Sequence, residues 1–228
     1  MNQLNSWWRE TTGSRVTPEM YIDSFGETLY MVGAALFIGA LLGIPLALAL
    51  VITRPGGLKP NKIVYGALNV CVNIIRSLPF IILLVAITPF TRLVAGTAIG
   101  TTAALVPLTL YIAPFIARLI EQSLLEVNPG ITEAADSMGA DLFQTIRYFL
   151  LPEAKSSIIL AITTATIGLI SATAMAGTIG GGGVGDLAIS YGYQQFDSLA
   201  MLMTVVILII IVQAIQSIGN TLAQRARA

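Results

Sequence analysis

The chain has 228 residues, of which 55% are hydrophobic and only 11% charged, with no formal net charge. A soluble globular domain is roughly one-quarter charged, so this composition excludes an ordinary soluble protein and marks an integral membrane protein. Balanced charge without a clustered basic field argues against a nucleic-acid partner, and the absence of histidine excludes Ser/His and Cys/His nucleophilic pairs and any His-ligated zinc.

The first nineteen residues are polar and lack the apolar core of a cleavable signal. Trp7 and Trp8 are expected at a membrane interface, where an amphipathic indole is favoured. A spanning helix needs about 20 apolar residues, and five segments qualify. The first runs from about Thr28 to Thr53, with Gly39 and Gly43 in a G-x-x-x-G spacing that suits close packing within the chain, and Pro45 as an expected kink.

A turn from Arg54 to Lys62 collects prolines, glycines and three cations, as a cytoplasmic loop would. The second segment, about Ile63 to Pro89, holds Cys71, read as a small buried apolar residue, and the polar set Asn69, Asn73, Arg76 and Ser77 ahead of Pro79. A charge deep in a bilayer is costly, so Arg76 is expected to face a cavity, a carboxylate or carbonyls freed near Pro79. The third segment, about Thr101 to Ile120, carries Pro107, Tyr111 and Pro114, reads as bent, and ends in Arg118 and Glu121. Asn73, Arg76, Ser77 and Tyr111 are the candidate residues of a translocation path.

The fourth segment, about Ser156 to Ile179, spaces Gly168, Ala172 and Ala176 for tight helix packing. The following run Gly180-Gly-Gly-Gly-Val-Gly-Asp186 satisfies G-x-G-x-x-G, but no strand precedes it and no Gly-Lys-Ser/Thr ending follows. It reads as a flexible break at the membrane edge. Tyr191, Tyr193 and Phe196 read as interfacial, and Asp197 as the cap of the fifth segment, about Ser198 to Thr221.

Orientation follows from the cations. With the N-terminus outside, Arg54, Lys59, Lys62, Arg118, Arg147, Lys155, Arg225 and Arg227 lie inside, and only Arg9, Arg15 and Arg92 lie outside. The chain then divides into an outer N-terminal segment, 1–27, a membrane region, 28–221, with a cytoplasmic loop at 124–155, and a cytoplasmic tail, 222–228. The expected fold is all-α.

The stretch from Glu126 to Lys155 is too polar to cross a bilayer, yet its local signals are dense. Asn128-Pro129 reads as an N-cap with proline in the first turn, and Gly139 as the left-handed residue that ends that helix. Asp141 with Gln144 reads as a capping box opening a second helix, whose Leu142, Phe143, Ile146, Phe149 and Leu150 form an apolar face. Pro152 is expected to end that helix or open the next segment. Two short helices meeting at a glycine make a rigid cytoplasmic knob.

Glu133-Ala134-Ala135, Gly139 and Leu151-Pro152 together resemble the EAA motif of bacterial ABC importer permeases: EAA, three residues, Gly, nine residues, Ile, one residue, Leu-Pro. Phe149 stands where isoleucine is usual. Arg76-Ser-Leu-Pro-Phe-Ile-Ile-Leu83, Pro89-Phe-Thr-Arg92, the glycine run and Tyr191-Gly-Tyr193 are similar to the methionine-uptake branch of these permeases. The resemblance implies a type I importer permease in a bacterial inner membrane. It further implies a second copy of the chain, two separate ATPase subunits carrying ATP and Mg, an external binding protein, and methionine, L- and possibly D-, as substrate, the alternative being another amino acid or small solute carried on the same plan. Glu133, Ala134, Ala135, Gly139, Leu142, Phe143, Leu151 and Pro152 would couple to the ATPase. No cofactor is expected in this chain, which is not itself expected to be an enzyme. An intramembrane enzyme is disfavoured because no aspartate lies mid-membrane. A secondary transporter is disfavoured because neither internal repeats nor buried ion-coupling carboxylates are evident.

Overall fold

The computed structural model describes residues 3–227, apart from the side chains of residues 3–6 and of Arg9. Met1, Asn2 and Ala228, the extreme ends of the expected outer segment and cytoplasmic tail, lie outside the described residues, as does the Arg9 side chain from the cation count. The elements are helices: α1 (Gln3–Thr12), α2 (Pro18–Thr53), α3 (Lys62–Ser77), α4 (Phe80–Ala86), α5 (Thr88–Ala95), α6 (Thr101–Leu125), α7 (Pro129–Ser137) and α8 (Leu142–Gln144). A π-helical turn, Thr145–Leu150, leads into α9 (Leu151–Glu153) and α10 (Lys155–Gly177). Then come α11 (Gly183–Leu187), a second π-helical turn, Ala188–Tyr193, and α12 (Ser198–Arg227).

Four helices are long and apolar enough to cross a membrane, α2, α6, α10 and α12, and α3 with α4 makes a fifth if the broken pair counts as one span. The expected second span is therefore not continuous. Its helix stops at Ser77, because Pro79 disfavours helical backbone in the residue before it, Leu78, and Pro79 itself is extended, φ −56° and ψ 136°. The helix of the first span begins earlier than expected, at Pro18, and Asp23 and Glu27 in its added turns are exposed. Pro107 and Pro114 do not interrupt α6. Large apolar side chains such as Phe37, Leu41, Ile209 and Ile210 stand exposed, as hydrocarbon-facing residues must.

The chain forms two compact units. The first comprises residues 1–37, 78–111 and 167–214. Within it, Val16, Tyr21, Leu187 and Ala200 form a buried cluster to which Met20, Tyr191, Met203 and Ile207 add. Asp197 is the tie of this region. Its carboxylate caps α12 by accepting the Ala200 N–H at 2.9 Å, and it accepts the Ser14 hydroxyl and the Arg15 N–H at 2.8 Å each. Burial alone would raise its pKa, but these hydrogen bonds and one from the Leu199 N–H outweigh that and hold the carboxyl below its ordinary value.

The glycine run is more structured than a flexible break. Gly180, Gly182 and Gly183 have positive φ, after which α11 starts at once. Glu27 Oε2 accepts the Gly183 N–H at 2.7 Å and Thr28 Oγ1 the Val184 N–H at 2.9 Å, so α2 satisfies the donors of the α11 N-terminus. A Cβ on Gly185 would collide with the backbone of Ala174, which explains the close approach of α11 to α10. Of the aromatic residues read as interfacial, Tyr193 and Phe196 are exposed, whereas Tyr191 packs on the buried cluster.

The second unit comprises residues 38–77, 112–166 and 215–228. Its core carries Leu50, Val72, Ile112, Ile116, Ile120 and Leu150. A Cβ added to Gly43 would lie 2.6 Å from the Ala113 carbonyl oxygen, and one on Gly39 would strike the Ile112 side chain. The G-x-x-x-G therefore packs within the chain, as the spacing suggests. The end of α12 packs on the start of α10: Gly219 meets Thr163, and Ser156 donates to the Ala223 carbonyl at 2.9 Å while accepting from Arg227 Nε.

Candidate coupling loop and polar seam

Local sequence builds the loop as expected. Asn128 Oδ1 accepts the Gly130 N–H at 2.9 Å, and Pro129 occupies the first turn of α7. The helix ends in a Schellman arrangement: the Ala140 N–H reaches the Ala135 carbonyl and the Gly139 N–H the Asp136 carbonyl, with Gly139 at φ +70°. Asp141 then opens α8 with a complete capping box.

Pro152 stands in the first turn of α9, as a proline opening the next segment would, without breaking the helical course of the backbone. Helical backbone continues from Leu142 through the π-helical turn and α9, and only a turn residue, Ala154, precedes α10. The wider π turn lies just ahead of Pro152, the residue that offers no N–H to an α-helical ladder.

The candidate coupling residues divide by exposure. Glu133, Ala134, Gly139, Phe143 and Pro152 are exposed, Leu142 and Leu151 half-buried, and Ala135 fully buried. Ala135 thus anchors α7 while Glu133 and Ala134 are presented. The expected apolar face is graded: Leu150 is buried, Leu142, Ile146 and Phe149 are half-buried or partly exposed, and Phe143 is exposed to 68%. Beside α7 lies a cavity of about 410 Å³ lined by Arg54, Gly57, Leu124, Thr132, Glu133 and Asp136 among others, and Arg54 Nε is buried there without a hydrogen-bond partner.

A polar seam joins α3 to α6. Arg118 Nη2 donates to Asn69 Oδ1 at 2.6 Å and Asn73 Oδ1 at 2.9 Å, while Nη1 donates to Glu121 Oε2 at 2.7 Å. Glu121 is 2% exposed. A buried carboxylate is therefore present, and Arg118 neutralises it on its own helix three residues away. One turn along α3, Arg76 stands over the Phe115 ring with its guanidinium carbon 6.0 Å from the centroid. Arg76 therefore finds an aromatic face rather than a carboxylate.

Of the four path candidates, Asn73, Arg76 and Ser77 lie on α3, where the Ser77 hydroxyl donates to the Ile74 carbonyl. Tyr111 belongs to the other unit, where it packs edge to face on Phe80 with centroids 5.2 Å apart. Cys71 is exposed, not buried. It falls among the exposed residues of α3, while Val72 alone on that helix is fully buried. Arg118 and Glu121 are a buried ion pair absent from the sequence-based candidates. Their i, i+3 spacing is the available signal, but their partners on α3 depend on tertiary packing.

Comparison with known proteins gives this architecture its class. The native crystal form of the inward-facing MetNI methionine ABC transporter superposes with a TM-score of 0.90 at 39% identity, covering 99% of both chains. A crystal structure of an amino acid ABC transporter with histidines matches with a TM-score of 0.76 at 21% identity, a likeness of fold alone. The fold is that of a type I ABC importer permease. Residues 39–228 match the family described as binding-protein-dependent transport system inner membrane component, and the chain belongs to that family. It is 52% identical over 207 residues to the probable D-methionine transport system permease protein MetI of Vibrio cholerae, covering 91% of this chain and 92% of that one. To the D-methionine transport system permease protein MetI of Escherichia coli K12 it is 47% identical over 151 residues, covering 66% and 70%.

Proposed function

We propose that this chain is the membrane-spanning subunit of an ATP-driven importer that carries methionine, as two copies joined to two separate ATPase subunits and served by an external binding protein. The capped two-helix projection with Glu133-Ala134-Ala135 and Gly139 carries the coupling part of this reading, because it presents a rigid exposed surface directly continuous with α10. Its substrate part rests on the likeness to methionine permeases over nearly the whole chain.

In this reading the N-terminus lies outside and the C-terminus in the cytoplasm. Glu133, Ala134, Gly139, Leu142 and Phe143 meet the ATPase, and Ala135, Leu151 and Pro152 hold that surface to the bundle. ATP and Mg act on the partner ATPase, whose closure draws two knobs together. The bundle then needs only two packed states biased by the nucleotide to alternate its access. Asn73, Arg76, Ser77 and Tyr111 line the path.

The test is reconstitution in liposomes. The chain with its ATPase and binding protein is expected to accumulate labelled methionine when ATP is supplied. Ion-gradient-driven uptake by the chain alone, or failure to co-purify with an ATPase, would reject the reading.

A further inference from the structure

We propose that Arg118 recognises the carboxylate of the substrate as it passes, and that the seam around it takes a small zwitterionic amino acid. The inference rests on the importer reading and names a residue of its path.

The two edges of the Arg118 guanidinium are held unequally. Nη1 is fixed by a charged and buried partner, Glu121, whose side chain is 3% exposed. Nη2 is held only by two neutral amide oxygens, those of Asn69 and Asn73, and the Asn73 contact is exposed. Glu121 therefore orients the guanidinium permanently, while the Nη2 edge keeps partners that a stronger acceptor can displace. A carboxylate is such an acceptor, because it adds a full negative charge and two oxygens that match the planar guanidinium, which a neutral amide oxygen does not. The Arg118 side chain is only 16% exposed and its Nη2 edge is turned toward α3.

The exchange also suits the other half of a zwitterion. Displacement leaves Asn69 Oδ1 and Asn73 Oδ1 without the guanidinium, and both then become acceptors for an ammonium group close by. The Asn73 amide already donates to Asn69 Oδ1, though at 3.4 Å, so the pair rearranges cheaply. Arg76, one turn further along the same helix, adds a second cation to the seam. No covalent step is involved: two hydrogen bonds to neutral amides are replaced by contacts to the ligand, and released in the reverse order.

The test uses the intact complex of permease, ATPase and binding protein in liposomes. Asn73→Asp places a fixed carboxylate beside Nη2, where it should occupy Arg118 and exclude the ligand. The expected result is uptake of methionine reduced by about tenfold or more, with ATPase co-purification and melting temperature preserved or raised. A structural clamp alone predicts no such loss of uptake, since the new ion pair would keep the α3–α6 contact. Uptake at the wild-type rate overturns the proposal. A measurement on the wild-type complex covers the case in which the variant fails to assemble. A diazirine analogue of methionine should label peptides of α3 or α6, and methionine, but not its carboxyl amide, should protect them. Labelling confined to other peptides, or equal protection by the amide, overturns the proposal. If the wild-type complex imports no methionine, the importer reading itself fails and this inference falls with it. Normal wild-type import with an unimpaired Asn73→Asp variant sinks the inference alone.

Discussion

Asp141 and Gln144 satisfy each other's backbone: the Asp141 carboxylate accepts the Gln144 N–H at 2.8 Å, and the Gln144 side-chain oxygen accepts the Asp141 N–H at 2.9 Å. The pair opens the second helix of the loop immediately after the first has closed at Gly139. Asp141→Ala removes one half of the box and is expected to cost about 1 kcal/mol of local stability. Hydrogen exchange of the amides at 142–145 should accelerate roughly fivefold, with α10 unaffected.

Gly139 sits at φ +70° with no atom within 4 Å of where a Cβ would stand, so only its backbone conformation resists substitution. Gly139→Val is expected to cost roughly 1–2 kcal/mol and to disturb the angle at which α8 leaves α7. ATP hydrolysis should persist while methionine uptake falls, and Gly139→Asn, which tolerates the left-handed region, should retain most transport. Parallel ATPase and uptake assays check both.

At Gly43 the limit is space instead. A Cβ there would lie 2.6 Å from the Ala113 carbonyl and 3.1 Å from Ile116, so Gly43→Val should destabilise the α2–α6 packing by about 1–3 kcal/mol. Gly33→Ala, on the same helix with open space, should be neutral or stabilising by roughly 0.5–1 kcal/mol. Thermal melts of the two variants in one detergent separate the effects.

Asp197 makes stability depend on acid. Its folded pKa is lowered, so the native state binds fewer protons than the unfolded one. Its contribution is complete above the ordinary carboxylate pKa of about 3.9 and is lost as pH falls through the lower folded value. Asp197→Asn should melt at a lower temperature near neutrality, and the gap from wild type should close as pH falls below about 4. Melting curves across that range test the sign.

Much of this was legible in the chain. Asn128-Pro129, Gly139 and Asp141-x-x-Gln144 act within a few residues of themselves, and the structure bears out each one. The four continuous spans were visible because hydrocarbon imposes length and composition directly. What escaped depends on distant partners. Gly183-Val-Gly-Asp-Leu187 has poor helix propensity and becomes helical where Gly185 fits against Ala174 and where Glu27 and Thr28 cap it. Likewise Arg118 reads as the charged end of a span until Asn69 and Asn73 are brought to it.

The π-helical turn at Thr145–Leu150 has a consequence for angular phase. Such a turn takes up one residue more than an α-helical turn, so the faces before and after it are aligned as though the chain were one residue shorter. Phe143 and Ser156 are therefore related by a rotation that counting at 3.6 residues per turn misjudges by about 100°. Deleting one residue within the turn would restore α-helix and leave the knob pointing where it does, whereas a deletion in α10 would swing it around the helix axis. The extra residue acts as a spacer in rotation: the direction of the knob depends on the length of α10 but not on whether the π turn keeps its additional residue.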